Sequence, residues 1–473
     1  MFAEYDQFDG LGLAELVRTH EISSAALIAE MRRRIESKNP AINAVIGLFE
    51  NELAGPNPVE GPFAGLPMLV KDLNIYVKGQ ITANGSRLMK TIVADRDSTL
   101  VQRYRKAGMV IAGQTNAPEF GLSATTEPKL NGATRNPWSL GISPGGSSGG
   151  AAAAVAAGLV PFAHASDGGG SIRLPAAACG LFGLKPSRGR ISPAPHQGEG
   201  WNGLATHHVV TRSVRDSAAL LDISHGYVAG DPYVAPGIEG TFLDAARRDP
   251  AQLRIAFSTT NPLGPPVHGD CVKAVQDAAS LCESLGHVVE EARPEYDAVA
   301  LSMASYGIIG PHVEATIREV EEKLGRSAED DELEDITRMM LETARGQSAA
   351  DYVLVQRSMH QLSRTIAEFW ESYDLYLTPT LGLPPQPIDT LVFESGMDYE
   401  QYGLQMATYV PFTNLANLTG QPAMSVPLHW NDDRLPVGVM FTGAYGEETR
   451  LLSLASQLEN ARPWFDQRPP PTE

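Results

Sequence analysis

Cysteine is nearly absent: the chain has three in 473 residues, Cys179, Cys271 and Cys282. An odd, sparse set with no Cys-x-x-Cys pair argues against a disulfide framework and a zinc–thiolate site. All three stand in apolar contexts, where cysteine serves as a small buried hydrophobe. Long hydrophobic runs are also lacking. The longest, residues 151–163, is too short and too alanine-rich to span a bilayer, and reads as a buried helix. The N-terminal MFAEYDQFDG is acidic and has no apolar stretch, so it is not a secretory signal. A soluble, cytoplasmic protein with no membrane contact is the expectation. Positive charge is short as well, with 37 Lys and Arg against 56 Asp and Glu and a net charge of −19. Such a field repels phosphate backbones, so no nucleic acid is expected as a partner, though a local RNA contact would survive it.

What is present is globular. Hydrophobic residues make up 43% and charged residues 20%, which excludes a disordered chain. Leu27, Ile28, Met31 and Ile35 fall on one helical face, and Asn39-Pro40 predicts its end. Strands are predicted over 42–49, 66–70, 109–113, 253–258, 287–291, 374–378, 423–428 and 437–443. Helices are predicted from Ser98, as cap, to Ala107, over 272–285 and over 449–458. Strands alternating with helices predict an α/β fold with a central sheet covered on both faces. No linker marks a boundary, so residues 1–473 read as one domain, with 60–220 as its core. The acidic stretch 314–345, within a variable helical region of about 300–350, reads either as solvated helices or as a mobile cap.

The informative part lies between Gly65 and Arg190. Pro144-Gly-Gly-Ser147-Ser148-Gly-Gly150 precedes the alanine-rich run. Its glycines permit positive φ and close approach, and its serines would sit where helix N-terminal amides point outward. A second turn, Ser166-Asp167-Gly168-Gly169-Gly170-Ser171-Ile-Arg173, can aim successive N–H groups at one point, as an oxyanion hole requires. Either turn alone reads more readily as a tight loop that carries serine for its turn chemistry; two of them 24 residues apart are harder to dismiss.

A serine nucleophile needs a base. None of the eleven histidines stands in a recognisable setting; His164 and His207-His208 read as structural. Lysine is scarce, nine against 28 arginines, and Lys71 closes the apolar run 66–70. Desolvation there would lower its pKa toward the neutral form that a base needs. The competing reading is an ion pair with Asp72 or a nearby carboxylate. Other motifs fail. The first turn lacks the Lys-Ser/Thr of a P-loop, Arg173 stands where a dinucleotide fingerprint needs glycine, and neither Ser-x-x-Lys nor His-Glu-x-x-His occurs. Gly145-Gly-Ser147-Ser-Gly149 does match the Gly-x-Ser-x-Gly elbow, a pattern easily met in so glycine-rich a turn.

Three segments together resemble the amidase signature family: Gly65-Leu-Pro-Met-Leu-Val-Lys71-Asp72, the Ser147-Ser148 turn, and Asp167-Gly-Gly-Gly-Ser171-Ile-Arg173. Flanking stretches also fit, among them Gly113-Gln-Thr-Asn116, Arg135-Asn-Pro-Trp138, Gly180 to Pro186 and Thr419-Gly-Gln-Pro-Ala423. The resemblance covers nearly the whole chain and is weakest over about 229–375.

It implies a single large α/β/α domain with a mixed, twisted sheet and no metal or organic cofactor. Residue by residue, it implies Ser171 as acylated nucleophile, Ser147 as a bridging serine after a cis peptide bond, and Lys71 as base. Gly168, Gly169, Gly170 and Ser171 would supply oxyanion amides, and Ser148, Asp167 and Arg173 would hold the turns. The family commonly has a side chain where this sequence has Gly168. The implied activity is hydrolysis of a C–N bond in a small-molecule amide or carbamate substrate, with Gly121, Leu122, Ser123 and Thr126 as candidate substrate contacts. Residues 132–192 are most similar to bacterial amidases acting on linear or cyclic amides, including those that hydrolyse 6-aminohexanoate dimers. A pocket cysteine of those dimer hydrolases has no counterpart after Cys282. Homodimers are common among relatives. Three rival readings stay open at this point: the amidase subunit of a tRNA-dependent amidotransferase, a histidine-dependent α/β-hydrolase using Ser147, and a non-catalytic binding protein on the same fold.

Overall fold

The computed structural model describes residues 2–55, 60–394 and 396–470. Its strands are β1 (Val45–Leu48), β2 (Pro67–Lys71), β3 (Val110–Thr115), β4 (Phe162–Asp167), β5 (Phe182–Lys185), β6 (Thr206–Thr211), β7 (Arg254–Phe257), β8 (Val288–Glu291), β9 (Leu375–Pro379), β10 (Ala423–Trp430) and β11 (Pro436–Gly443). They form one mixed sheet in the order β1-β3-β2-β4-β6-β5-β10-β11-β9-β7-β8. Strands β3, β2 and β4 run parallel, as do β9, β7 and β8, and antiparallel pairs join these two blocks.

Alternation along the buried strands decides which layer each side chain enters. In β2, Met68 and Val70 join one core cluster while Leu69 joins the other. In β3, Ile111 goes with the first and Val110 and Ala112 with the second. Helices cover both faces, giving the expected single α/β domain. The second face receives the fully buried Gly149–Ala156 helix, whose small residues let it lie close to the sheet.

Several predicted elements shift for identifiable reasons. The run 151–163 is not one helix: it stops at Ala156, turns at Gly158 with φ of 71°, and re-enters the sheet as β4 after Pro161. The first long helix, Ser24–Ile42, continues through Pro40. Asn43, in the left-handed region, ends it, and Asn39 Oδ1 accepts the N–H groups of Ala44 and Val45 at 2.8 Å each. Ser98 precedes the Thr99–Lys106 helix as expected, but its hydroxyl accepts from Tyr76 N–H instead of from the helix. Strands β4, β5 and β6 have no counterpart among the predicted strands, since their buried runs lack a polar–apolar alternation to read.

The acidic region folds into helices Ala298–Leu324 and Asp335–Arg345, followed by Ala349–Ala367. All three cysteines are buried and unpaired. Among the described residues, no helix is long and apolar enough to cross a membrane.

Candidate active site

Lys71 is the last residue of β2 and is wholly buried. Its Nζ lies 2.8 Å from Ser147 Oγ and 3.1 Å from Ser166 Oγ. Burial draws its pKa down from 10.5 to about 7, with the charge of Asp167 opposing the shift. The Asp72 ion pair does not form. That carboxylate points elsewhere, accepting from the N–H groups of Ala83 and Gly85 at 2.7 and 3.3 Å. Burial pushes its pKa up to about 7 in spite of them.

The first glycine turn carries Ser147 to the lysine, and the Gly146–Ser147 peptide bond is cis, as the resemblance implied. Ser148 ties the turn to β4: its hydroxyl donates to Ser166 O and accepts from Ser166 N–H, at 3.2 and 3.3 Å. Thr126 braces the other side, donating to Gly145 O at 2.9 Å and accepting from Gly149 N–H at 3.1 Å. This corrects the expectation for Thr126. It is wholly buried beneath the turn and borders neither of the two cavities at Ser171. Gly121, Leu122 and Ser123 do line one.

The second turn is organised by Asp167 at the end of β4. Arg173 Nε and Nη2 reach its two oxygens at 2.9 Å each, and Asn417 Nδ2 donates to Oδ1 at 2.8 Å. Burial alone would raise this pKa, but Arg173 holds the carboxyl well below the usual carboxylate range. Arg173 also donates to Thr413 O at 2.8 Å and Asn417 Oδ1 at 2.6 Å. Asp167 captures one of the expected oxyanion amides as well, because Gly170 N–H donates to Oδ1 at 2.8 Å. Gly170 is therefore committed to the turn. Among the described residues, the amides of Gly168, Gly169 and Ser171 have no partner. Ser171 Oγ is also unpartnered there, and no hydrogen bond joins it to Ser147, although both line one cavity.

Two histidines that read as structural lie beside the lysine. Lys71 N–H donates to His164 Nδ1 at 3.3 Å, so His164 carries its proton on Nε2. That proton meets His207 Nδ1 at 3.1 Å, which leaves the proton of His207 on Nε2. Desolvation, reinforced by the lysine, draws the pKa of His207 down to about 4, so it stays neutral. Its Nε2–H has no partner among the described residues, and the ring borders the cavity. No histidine hydrogen-bonds Ser147 or Ser171 among the described residues, which removes the support for a histidine base.

Two cavities meet at Ser171. One is bordered by Ser147, Ser166, Gly168, Arg188 and His207. The other is bordered by Gly121, Leu122, Ser123, Gly169 and apolar residues of the Ala298–Leu324 helix. Trp201 borders both. Among the described residues, no three His, Cys, Asp or Glu side chains group to hold a metal ion. The structure brings Lys71, Ser147, Ser148, Asp167, Arg173 and Ser171, all named from the sequence, into one region. Ser166, Trp201, His207 and Asn417 stand there too, with no site role read for them from the sequence. Ser166 and His207 had a usable cue, since each lies in or beside a stretch already singled out.

Comparison with known proteins bears directly on this arrangement. The amidase family model matches residues 26–452. The 6-aminohexanoate-cyclic-dimer hydrolase of Paenarthrobacter ureafaciens is 40% identical over 479 residues, covering 98% of this chain and 96% of that protein. A solved structure of 6-aminohexanoate cyclic dimer hydrolase complexed with substrate matches with a TM-score of 0.92 and 38% identity, over 98% of this chain and 99% of that one. A bacterial aryl acylamidase of the amidase signature enzymes matches with a TM-score of 0.86 and 26% identity, over 97% and 96% of the two chains.

Proposed function

The chain belongs to the amidase signature family and is an amidohydrolase, and from that premise we propose that it cleaves a small cyclic, aryl or linear amide, or a carbamate, through an acyl-enzyme on Ser171. The cyclic and aryl classes come from the relatives, a cyclic-dimer hydrolase and an aryl acylamidase. The observation that carries the reading is the buried Lys71, 2.8 Å from Ser147 Oγ, with a pKa of about 7, beside a cavity that Ser147 and Ser171 share.

In this mechanism neutral Lys71 takes the Ser147 proton through its lone pair while donating to Ser166. Ser147 in turn takes the Ser171 proton, and Ser171 Oγ attacks the carbonyl carbon. The free amides of Gly168, Gly169 and Ser171 face the developing oxyanion; each such donor is worth about 3 kcal/mol in comparable sites. Ser147 then protonates the departing nitrogen, the C–N bond breaks, and the amine leaves. Water, deprotonated by the same relay, attacks the ester and releases the acid. Asp167 and Arg173 act by holding the turn and touch no reacting atom.

The test is fluorophosphonate labelling with mass spectrometry of the modified peptide. The label is expected on Ser171 and is expected to vanish in Lys71→Ala. A label on Ser147, or no label, would overturn the assignment.

A further inference from the structure

One hydrogen-bond donor at the cavity beside Ser171 is fixed in place and unspent. His207 lies in β6, directly opposite Ser166 of β4, and Ser166 Oγ is the second partner of Lys71 Nζ at 3.1 Å. The ring borders the cavity that Ser147 and Ser171 share. Its Nδ1 meets His164 Nε2 at 3.1 Å, and His164 Nδ1 accepts from Lys71 N–H at 3.3 Å. With both contacts made, the proton of His207 sits on Nε2. The next residue, His208, gives the contrast: its Nε2 meets Ser217 Oγ at 2.9 Å and its Nδ1 is enclosed. His207 Nε2–H is open to the cavity and has no partner among the described residues.

Neighbouring donors on that cavity are occupied. Arg188 Nε donates to Gly203 O at 2.7 Å and its Nη2 to Leu418 O at 2.8 Å. Ser192 Oγ donates to Asp231 at 2.8 Å, and Thr316 Oγ1 to His312 O at 2.9 Å. The free amides of Gly168, Gly169 and Ser171 belong to the turn after β4 and serve the oxygen of the attacked carbonyl. His207 comes from a different strand, so it addresses a different atom of the substrate. Burial and the lysine draw its pKa down to about 4, so the ring offers one hydrogen and no charge, which suits a neutral carbonyl oxygen. Resting on the acyl-enzyme reading above, we infer that His207 is a specificity-determining residue whose Nε2–H donates to a second carbonyl of the substrate, apart from the one that Ser171 attacks. The preferred class is amides that carry such a carbonyl. A substrate without it strips the N–H of water and offers no acceptor in return, the costly case for a polar group.

Two lactams of one shape test this on the full chain. Azacyclotridecane-2,8-dione carries a ketone across the ring from its single amide; 8-methylideneazacyclotridecan-2-one has a carbon in place of that ketone oxygen and so no acceptor there. The ketone is expected to give a kcat/KM at least about tenfold higher. His207→Phe is expected to bring the ratio toward one. His207→Gln, whose oxygen can accept from His164 while its N–H faces the cavity, is expected to keep most of it. Loss of fold slows both lactams alike, so the ratio reads the contact and not the stability, and the comparison on the unaltered chain needs no variant. Equal rates on that chain, preference for the methylidene lactam, or a ratio that survives His207→Phe would overturn the inference. Turnover of neither lactam while fluorophosphonate still labels Ser171 would also overturn it and leave the acyl-enzyme reading intact. Absence of both labelling and turnover would instead sink the acyl-enzyme reading, and this inference with it.

Discussion

Arg173 meets Asp167 with both edges of its guanidinium, Nε to Oδ2 and Nη2 to Oδ1 at 2.9 Å each, and neither side chain is exposed. Such a pair is costly to break because the survivor is left charged and dry. Asp167→Asn should therefore destabilise the fold by about 3–5 kcal/mol. The loss would be read as a lower urea midpoint with an unchanged slope.

The lowered pKa of Lys71 sets a pH profile. With a value of about 7, kcat/KM should rise with pH and level off above a midpoint near 7 as the lysine loses its proton. Lys71→Ala should lower kcat/KM by about two to four orders of magnitude. Lys71→Arg should be no better, since arginine stays charged at working pH.

Stability carries the opposite sign to the usual ion-paired lysine. The folded pKa is about 7 and the ordinary value 10.5, so between them the unfolded chain binds more protons. The buried ammonium thus weighs against folding at and below pH 7, and the penalty is relieved as pH rises. Inactive Lys71→Met should have a higher Tm than the parent at pH 6, with the gap narrowing toward pH 10, as differential scanning calorimetry would show.

Gly168 is outside the left-handed region, so its backbone accepts alanine and only the Trp201 ring objects. Gly168→Ala should cost about 1–3 kcal/mol, the range for overpacking a filled site. Adding Trp201→Ala should recover part of that loss. A double-mutant cycle on denaturant midpoints would give the coupling directly.

Glu119 joins the sheet side of the molecule to the Asp335–Arg345 helix. Its carboxylate accepts from Ser86 Oγ at 2.6 Å, from Glu334 N–H at 2.7 Å and from Thr337 Oγ1. Burial nevertheless pushes its pKa up to about 7 from 4.5. A raised carboxyl pKa gives stability that is full below about pH 4.5 and lost as pH climbs through 7. Amide hydrogen exchange over 334–345, corrected for intrinsic rate, should quicken between pH 5 and pH 8. Glu119→Gln should flatten that dependence.

The sequence was most legible where chemistry confines residue type. A lysine at the end of an apolar strand or a serine flanked by glycines has an ordinary use of its own, an ion pair or a tight loop, and it is the three segments together, in order and spacing, that mark Lys71, Ser147 and Ser171. It was least legible where tertiary packing alone decides a role. Thr126 has the right neighbours for a substrate contact, yet its hydroxyl is spent bracing Gly145 and Gly149. Gly170 looks identical to Gly168 and Gly169 in a row of three, and only the position of Asp167 Oδ1 distinguishes its amide. Trp201 is 30 residues from the nucleophile in the chain, and nothing in its local sequence reports that Gly168 makes room for it.

Residue 71 takes part twice, once through its side chain and once through its main chain. The amide that fixes the proton on His164, and through it on His207, belongs to the backbone of β2. Side-chain replacement at 71 removes the amine and leaves that amide in place. The hydrogen-bonding sense of the cavity wall is therefore inherited from the sheet and is expected to persist in Lys71→Ala. Ligand affinity measured on that inactive variant would report the binding surface of the working enzyme. Only proline, which has no N–H, would release His164 to the other tautomer.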